Sequence, residues 1–225
     1  MEGQTTIKLM DYKLQIEEMI STINAHAKSY AGGKEIDYRV IKAMRIIPRH
    51  EFVPHYPYQD RPIAIGHGQT ISQPFIVAYM TDMLDISPLH TVLEIGMGSG
   101  YQAAILSEVA LRVFTVERIK ELAKQTKILL EHYSNIKIKV NNGYKGWKEH
   151  APYDRIMVTA TANDLIPPKA LVGQLKDGGK MIIPMKRPAG YEELVLVTKT
   201  GKTYKEKSLI GVRFVPLVDS YCSTG

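Results

Sequence analysis

The sequence predicts an α/β protein. Its sheet is central and mostly parallel with an antiparallel C-terminal part, it carries helices on both faces, and a helical extension precedes it. Three observations carry this reading. From Thr91 onward, short apolar runs alternate with longer segments of helical period, the pattern of repeated βαβ units. One such run, Val92-Leu93-Glu94-Ile95, leads into glycines at 96, 98 and 100 and then a helix-compatible stretch, which reads as strand, turn and helix. The C-terminal runs flank Thr200-Gly201-Lys202, a turn between antiparallel strands.

The elements follow in order. Residues 7–28 form a helix, because Leu9, Tyr12, Ile16, Met19, Ile20, Ile23 and Ala27 make one stripe at spacings of three and four. Ala31-Gly32-Gly33 stops it. A second helix covers residues 37–44. Pro48, Pro54, Pro57 and Pro62 then impose an irregular path, and the interleaved Tyr56 and Tyr58 let it pack as an ordered loop. An apolar-periodic helix over 75–84 comes next, with Ser72 as its N-cap and Pro74 in its first turn. Strands are expected at 92–95, 113–116, 136–140, 155–158 and 181–184, and helices at 101–109, 119–133 and 168–175. In the helix at 119–133, Ile119, Leu122, Thr126, Leu129, Leu130 and Tyr133 share the buried face. Lys176-Asp177-Gly178-Gly179 reads as a turn into a strand, and the tail supplies strands at 193–199, 203–207 and 212–215. A chain of 225 residues suits one domain, 1–225, with residues 1–60 as the helical extension packed on an α/β core at 61–225.

Composition excludes several classes. Hydrophobic residues make up 44% and charged residues 23%, as in ordinary globular domains. The net charge of +6 comes from Lys and Arg scattered among Glu, without a block of five like charges, so no nucleic-acid-binding tail is expected. A single cysteine, Cys222, excludes an internal disulfide and a Cys/His metal pattern. No apolar run of about 18 residues and no apolar leader are visible, so neither a membrane span nor a signal peptide is expected. A cytoplasmic location follows by default.

The glycine segment carries the first chemistry. Glycine lets backbone approach a ligand closely, and the following helix offers free N–H groups. The spacing Gly96-x-Gly98-x-Gly100, preceded by Glu94, departs from the G-x-G-x-x-G used for pyrophosphates. Glu117 ends the run Val113-Phe114-Thr115-Val116, 21 positions after Gly96, where a carboxylate can accept hydrogen bonds from ribose hydroxyls. Together these residues suggest S-adenosylmethionine. Ligands bind outside the carboxyl ends of such strands, which here also carry Asn141-Asn142-Gly143 and Thr159-Ala160-Thr161-Ala162. The seven histidines are dispersed, and none is assigned a role.

Four further stretches carry a resemblance: Gly68-Gln69-Thr70-Ile71-Ser72-Gln73-Pro74, Ala151-Pro152-Tyr153-Asp154, Gln174-Leu175-Lys176-Asp177-Gly178-Gly179-Lys180 and Val212-Arg213-Phe214-Val215-Pro216-Leu217. With Val92 through Gln102, they make the chain similar to the protein-L-isoaspartate (D-aspartate) O-methyltransferases over about residues 39–217. The resemblance implies a Rossmann-like S-adenosylmethionine methyltransferase fold. It implies methyl transfer to the free α-carboxylate of L-isoaspartyl residues in damaged proteins and peptides, which begins repair through a succinimide to normal aspartate. S-Adenosylhomocysteine is the implied product; no metal, no nucleic-acid partner, no membrane association and a monomer are expected.

Residue by residue, the resemblance puts Ser72 on the active-site serine, with Thr70 beside it. It puts Ile71, Glu94, Gly96, Gly98, Gly100, Gln102, Glu117, Arg118, Asn142 and Gly143 on the cofactor, and Arg213, Phe214 and Val215 on the substrate backbone. Two positions depart from the family pattern. Asn142 replaces the usual aspartate, although its carbonyl can still pair with an adenine amino group, and Met97 stands where a small hydroxyl residue is common. The acceptor carboxylate is already ionised at pH 7, since such groups titrate near about 3–4. Positioning should therefore supply most of the rate, and Ser72 reads as a hydrogen-bonding positioner rather than a nucleophile. Three alternatives remain: a nucleic-acid base methyltransferase, a nicotinamide dehydrogenase, and a non-catalytic S-adenosylmethionine-binding module. The first lacks the Asn/Asp-Pro-Pro-Tyr-like motif expected where Thr159-Ala160-Thr161-Ala162 stands. The glycine spacing disfavours the second. The third gives no reason for Thr70, Ser72 and Arg213-Phe214-Val215.

Overall fold

The computed structural model describes residues 2–30, 34–188 and 190–219. The expected glycine stop at 31–33, the side chain of Leu9, and Cys222 lie outside the described residues. Helices α1 (Glu2–Tyr30) and α2 (Tyr38–Ile46) open the chain. A two-stranded hairpin, β1 (Ile63–Gly66) and β2 (Gln69–Ile71), leads into α3 (Pro74–Met83). The core then runs β3 (Thr91–Ile95), α4 (Tyr101–Val109), β4 (Arg112–Glu117), α5 (Lys120–Leu129), β5 (Ile136–Val140), β6 (Tyr153–Val158) and α6 (Lys169–Gly173). It ends with β7 (Leu175–Lys186), β8 (Glu192–Thr200) and β9 (Thr203–Gly211).

The main sheet has seven strands in the order β5-β4-β3-β6-β7-β8-β9. Pairings from β5 to β7 are parallel, and β7-β8-β9 are antiparallel. Strands β3, β4 and β6 are buried along nearly their whole length, as both-face coverage requires of parallel strands. Alternation divides their side chains between two cores. Val92 and Val113 join a core with α1 to α4, whereas Leu93, Ile95, Phe114 and Val116 join one with Leu171 of α6. The α1 stripe is confirmed from Tyr12 onward: Met19, Ile20, Ile23 and Ala27 are buried, and α1 packs on α3.

The structure revises five local expectations. First, Ser72 does not cap α3. Gln73 occupies the cap position without a side-chain bond, and Asp60 supplies the acceptor instead, taking the Phe75 N–H at 2.9 Å and the Gln73 carboxamide at 2.8 Å. A carboxylate from the Pro-rich loop has displaced the local cap. Second, α5 stops at Leu129 rather than at residue 133, so the 3.6-residue period no longer applies there; Leu129 is 40% exposed and Leu130 turns inward. Third, α6 is five residues long, ending before Gln174, because the chain enters β7 at Leu175. Fourth, Lys176-Asp177-Gly178-Gly179 lies within β7 as an irregularity: Tyr153 pairs with Leu175 but Arg155 with Lys180, and Gly178 takes φ +71°. Fifth, residues 212–215 form no strand. After Val212 bonds Glu192, the segment leaves β8 and crosses to Thr161, whose N–H donates to the Val215 carbonyl and whose carbonyl accepts from Leu217. The β1–β2 hairpin had no expectation behind it. Its turn residues His67 and Gly68 sit at φ +51° and +67°, the conformation of a two-residue type I′ turn.

Candidate active site

The carboxyl ends of β3, β4 and β6 converge on one cavity. Its walls include Gln69, Thr70, Ile95, Gly96, Gly98, Val116, Glu117, Arg118, Gly143, Thr159 and Val215 to Val218. The glycine loop after β3 forms its floor. Gly96 is at φ +94°, and a Cβ there would collide with the Thr159 hydroxyl. That hydroxyl donates to the backbone at the loop, with carbonyls of Ile95 and Gly96 at 3.0 and 2.7 Å. Side chain and glycine thus lock β6 to β3 beneath the cavity. Gly100, at φ +89°, starts α4, with Thr126 of α5 close against it.

Glu117 is the electrostatic centre of this cavity. It is buried, and its carboxylate accepts backbone N–H groups from Gly98 at 3.0 Å, Arg118 at 2.9 Å and Ile119 at 3.0 Å. The carboxylate is therefore pinned at the end of β4 while still facing the cavity. Glu94 behaves differently. It is fully buried in β3, Thr115 donates a short hydrogen bond to one of its oxygens, and desolvation pushes its pKa up to about 8. Its other oxygen has no partner among the described residues.

A second, open cleft adjoins the first. It measures about 1030 Å³ and is lined by Ser72, Gln73, Ile76, Tyr191, Glu192 and residues 211–215, among others. Thr70, Thr159 and Val215 line both cavities. Glu192 organises the far wall: one carboxylate oxygen accepts from the Thr161 hydroxyl at 2.7 Å and from the Phe214 N–H at 3.0 Å. Because Asp60 caps α3, the half-buried Ser72 hydroxyl forms no hydrogen bond among the described residues.

The sequence-derived residues fall into groups. Gly96, Gly98, Glu117, Arg118 and Gly143 line the first cavity, Ser72, Arg213 and Phe214 line the second, and Thr70 and Val215 line both. Others stand behind the walls. Ile71 is buried in β2, and Gln102 donates to Thr81 at 3.0 Å. Gly100 packs on α5, and Glu94 is enclosed in the sheet. Asn142 is 3% exposed and already engaged: its carbonyl accepts the Tyr144 N–H at 2.9 Å and its amide donates to the Asp219 carboxylate at 2.6 Å. Thr159 lies at one of the strand ends expected to face the ligand, although it was given no role of its own. Sequence reasoning missed Tyr191 and Glu192 as wall residues, because they reach the cleft from the β7–β8 connection and the start of β8, distant in sequence.

Among the described residues, no His/Cys/Asp/Glu group is arranged to hold a metal ion, and no helix is long and apolar enough to cross a membrane. Residues 19–221 match the family model described as protein-L-isoaspartate(D-aspartate) O-methyltransferase. A Nitrosococcus oceani protein-L-isoaspartate O-methyltransferase 2 is 45% identical over 213 residues, covering 91% of this chain and 96% of the relative. A Dictyoglomus thermophilum protein-L-isoaspartate O-methyltransferase is 49% identical over 189 residues, covering 81% and 84%. Among solved structures, a Plasmodium falciparum protein of the same description, in complex with S-adenosyl-L-homocysteine, superposes with a TM-score of 0.78 at 26% identity, covering 93% of this chain and 99% of that one.

Proposed function

The chain belongs to the protein-L-isoaspartate(D-aspartate) O-methyltransferase family, and from that premise we propose how its two joined cavities divide the work. The enzyme transfers a methyl group from S-adenosylmethionine to the free α-carboxylate of L-isoaspartyl residues in damaged proteins and peptides. The adjoining backbone amide nitrogen then attacks the methyl ester spontaneously, expelling methanol and closing a succinimide, which water opens partly to normal aspartate. In our reading, the glycine-floored cavity takes the methyl donor and the open cleft takes the isoaspartyl chain. The observation that carries this division is their meeting at Thr70, Thr159 and Val215, with Ser72 on the cleft side.

The donor cavity suits an adenosine. Glu117 presents a carboxylate for ribose hydroxyls, and Ile95, Val116 and Leu217 present apolar walls for a base. When bound, S-adenosylmethionine supplies an electrophilic methyl group on a sulfonium sulfur. Gly96, Gly98, Arg118 and Gly143 complete its wall. We assign Asn142 to holding this wall's shape through Tyr144 and Asp219, while its neighbour Gly143 meets the ligand.

In the cleft, Ser72 and Thr70 offer hydroxyls to an anionic acceptor, and the 212–215 segment offers backbone to an extended peptide. No histidine lines the cleft among the described residues, which agrees with an acceptor that is ionised at neutral pH and needs no base. The residues act by orientation, and a well-placed acceptor supplies much of the barrier reduction. We further propose one domain over 1–225, because one of the two cores runs without a break from Met19 of α1 to Leu194 of β8, and the same central strands feed the other. A monomer in the cytoplasm is our reading for assembly and location; the single cysteine, without a partner for an internal disulfide, suits a reducing compartment.

The test uses labelled S-adenosylmethionine and paired peptides that differ only in isoaspartate or aspartate. Methyl incorporation is expected into the isoaspartyl peptide alone; equal labelling of both, or of neither, sinks the reading. Ser72→Ala should lower turnover about tenfold or more, as loss of a hydrogen bond to a charged group implies, and leave donor affinity unchanged.

A further inference from the structure

Arg49 is fully buried and lies in the irregular segment before the hairpin. Its Nε donates to the Pro57 carbonyl at 2.7 Å, and one Nη donates to the Ser72 carbonyl at 2.8 Å. The guanidinium sits 4.8 Å over the Tyr101 ring of α4. Among the described residues its other Nη has no partner of good hydrogen-bond geometry, the Tyr101 hydroxyl being a neutral neighbour that favours the charge, and no carboxylate forms an ion pair with it. Asp60 acts on it only at longer range.

A buried charge without a paired counter-charge costs several kcal/mol relative to an apolar residue of similar size. Packing alone therefore gives no reason for an arginine here. Two features of its surroundings do. Its carbonyl partners hold the two ends of the segment 57–72, which folds as the hairpin and ends at the acceptor cleft. The acceptor, moreover, is an anion, and an incompletely compensated cation in a low-dielectric interior raises the potential of the adjoining cleft.

We propose that Arg49 is a positioning residue for methyl transfer: it fixes Ser72 through the Ser72 carbonyl and lends the cleft a buried positive charge that favours a carboxylate acceptor. The inference rests on the assignment of Ser72 to the acceptor. Asp60 completes the clamp from the other side by holding Gln73 and the start of α3.

The test is a double-mutant cycle on the full chain with Arg49→Met, Ser72→Ala and the pair, with Arg49→Lys alongside. Kinetics use an isoaspartyl peptide, and calorimetry follows S-adenosylhomocysteine. Arg49→Met should lower kcat/KM about 10- to 100-fold, the loss expected for a charge-assisted hydrogen bond, with S-adenosylhomocysteine affinity kept within about twofold. Arg49→Lys keeps the charge but not both hydrogen bonds, so it should recover part of the loss. In the Ser72→Ala background the penalty of Arg49→Met should shrink, because the group being positioned is gone. Equal penalties in both backgrounds, parent-like kinetics for Arg49→Met, or a loss matched by donor affinity would overturn the proposal. Should Arg49→Met fail to fold, Arg49→Lys runs the same cycle under the same criteria. Parent-like kinetics for Ser72→Ala would instead retire the assignment of Ser72 itself, whatever Arg49 does.

Discussion

Glu117→Gln separates the loop anchoring that this carboxylate provides from the ribose binding proposed for it. The substitution changes neither size nor shape. In the parent, one oxygen accepts the Arg118 and Ile119 N–H groups and the other accepts Gly98 N–H. A carboxamide has one acceptor oxygen, so in either orientation its NH₂ faces a backbone donor. The better orientation keeps Arg118 and Ile119 and sacrifices Gly98. That costs one charge-assisted hydrogen bond in a group only 6% exposed, about 1.5–3 kcal/mol. For a chain of this size, the melting temperature should fall by roughly 3–12 °C. Binding loses separately, because ribose hydroxyls meet a neutral and weaker acceptor. The Kd for S-adenosylhomocysteine should rise about tenfold or more, equivalent to about 1.4 kcal/mol. Calorimetry gives the affinity and thermal denaturation gives the stability. A glutamine variant that binds with the parent's affinity would refute the ribose assignment; one that melts with the parent would refute the loop-anchoring role.

Asp60→Ala removes the acceptor for Phe75 N–H and Gln73 and the 2.9 Å partner of His26. It should cost about 1–2 kcal/mol as a lost helix cap, and Asp60→Asn should recover most of it; chemical denaturation showing no difference for the alanine variant disproves the remote cap. Glu94 predicts a pH dependence of stability. Its folded pKa, near 8, lies above the unfolded value of 4.5, so the folded state holds the extra proton between those limits. Stability from this group is complete below about pH 4.5 and is lost as pH rises towards 8. Glu94→Gln should therefore gain on the parent by a few kcal/mol at pH 8 relative to pH 5, on the order of the shift's free-energy equivalent. Parallel pH–melting curves for the two proteins would show that the carboxyl is not titrating this way.

Local sequence was sufficient wherever one short segment both forms an element and carries its chemistry. The helix at 101–109 appears with the expected limits, and β3 and β5 appear within a residue of theirs, because apolar run length and glycine placement decide them locally. That Gly96, Gly98 and Glu117 share one cavity was legible for the same reason: they sit at strand ends on one edge of a parallel sheet. Reasoning from single segments failed where two distant segments compete for one group. Ser72 has the chemistry of an N-cap, but Asp60 takes the Phe75 N–H from a separate loop and leaves the serine hydroxyl to the cleft. The partners of Asn142 were likewise out of reach of a local reading, because its amide donates to Asp219, far along the chain.

The sequence by itself determined the strand–helix alternation, the antiparallel finish, the glycine loop and the carboxylate of Glu117 that share a cavity, and the family. These depend on periodicity and on motifs contained within a few turns of chain. Only the tertiary structure decided which polar groups are free to act. It joined the two cavities at Thr70, Thr159 and Val215, drew residues 212–219 off the sheet to bridge Thr161 and Asn142, and buried Arg49 behind Ser72. Hydrogen-bond partners in an interior are assigned by proximity in space, and a buried donor takes whichever acceptor the fold brings within about 3 Å.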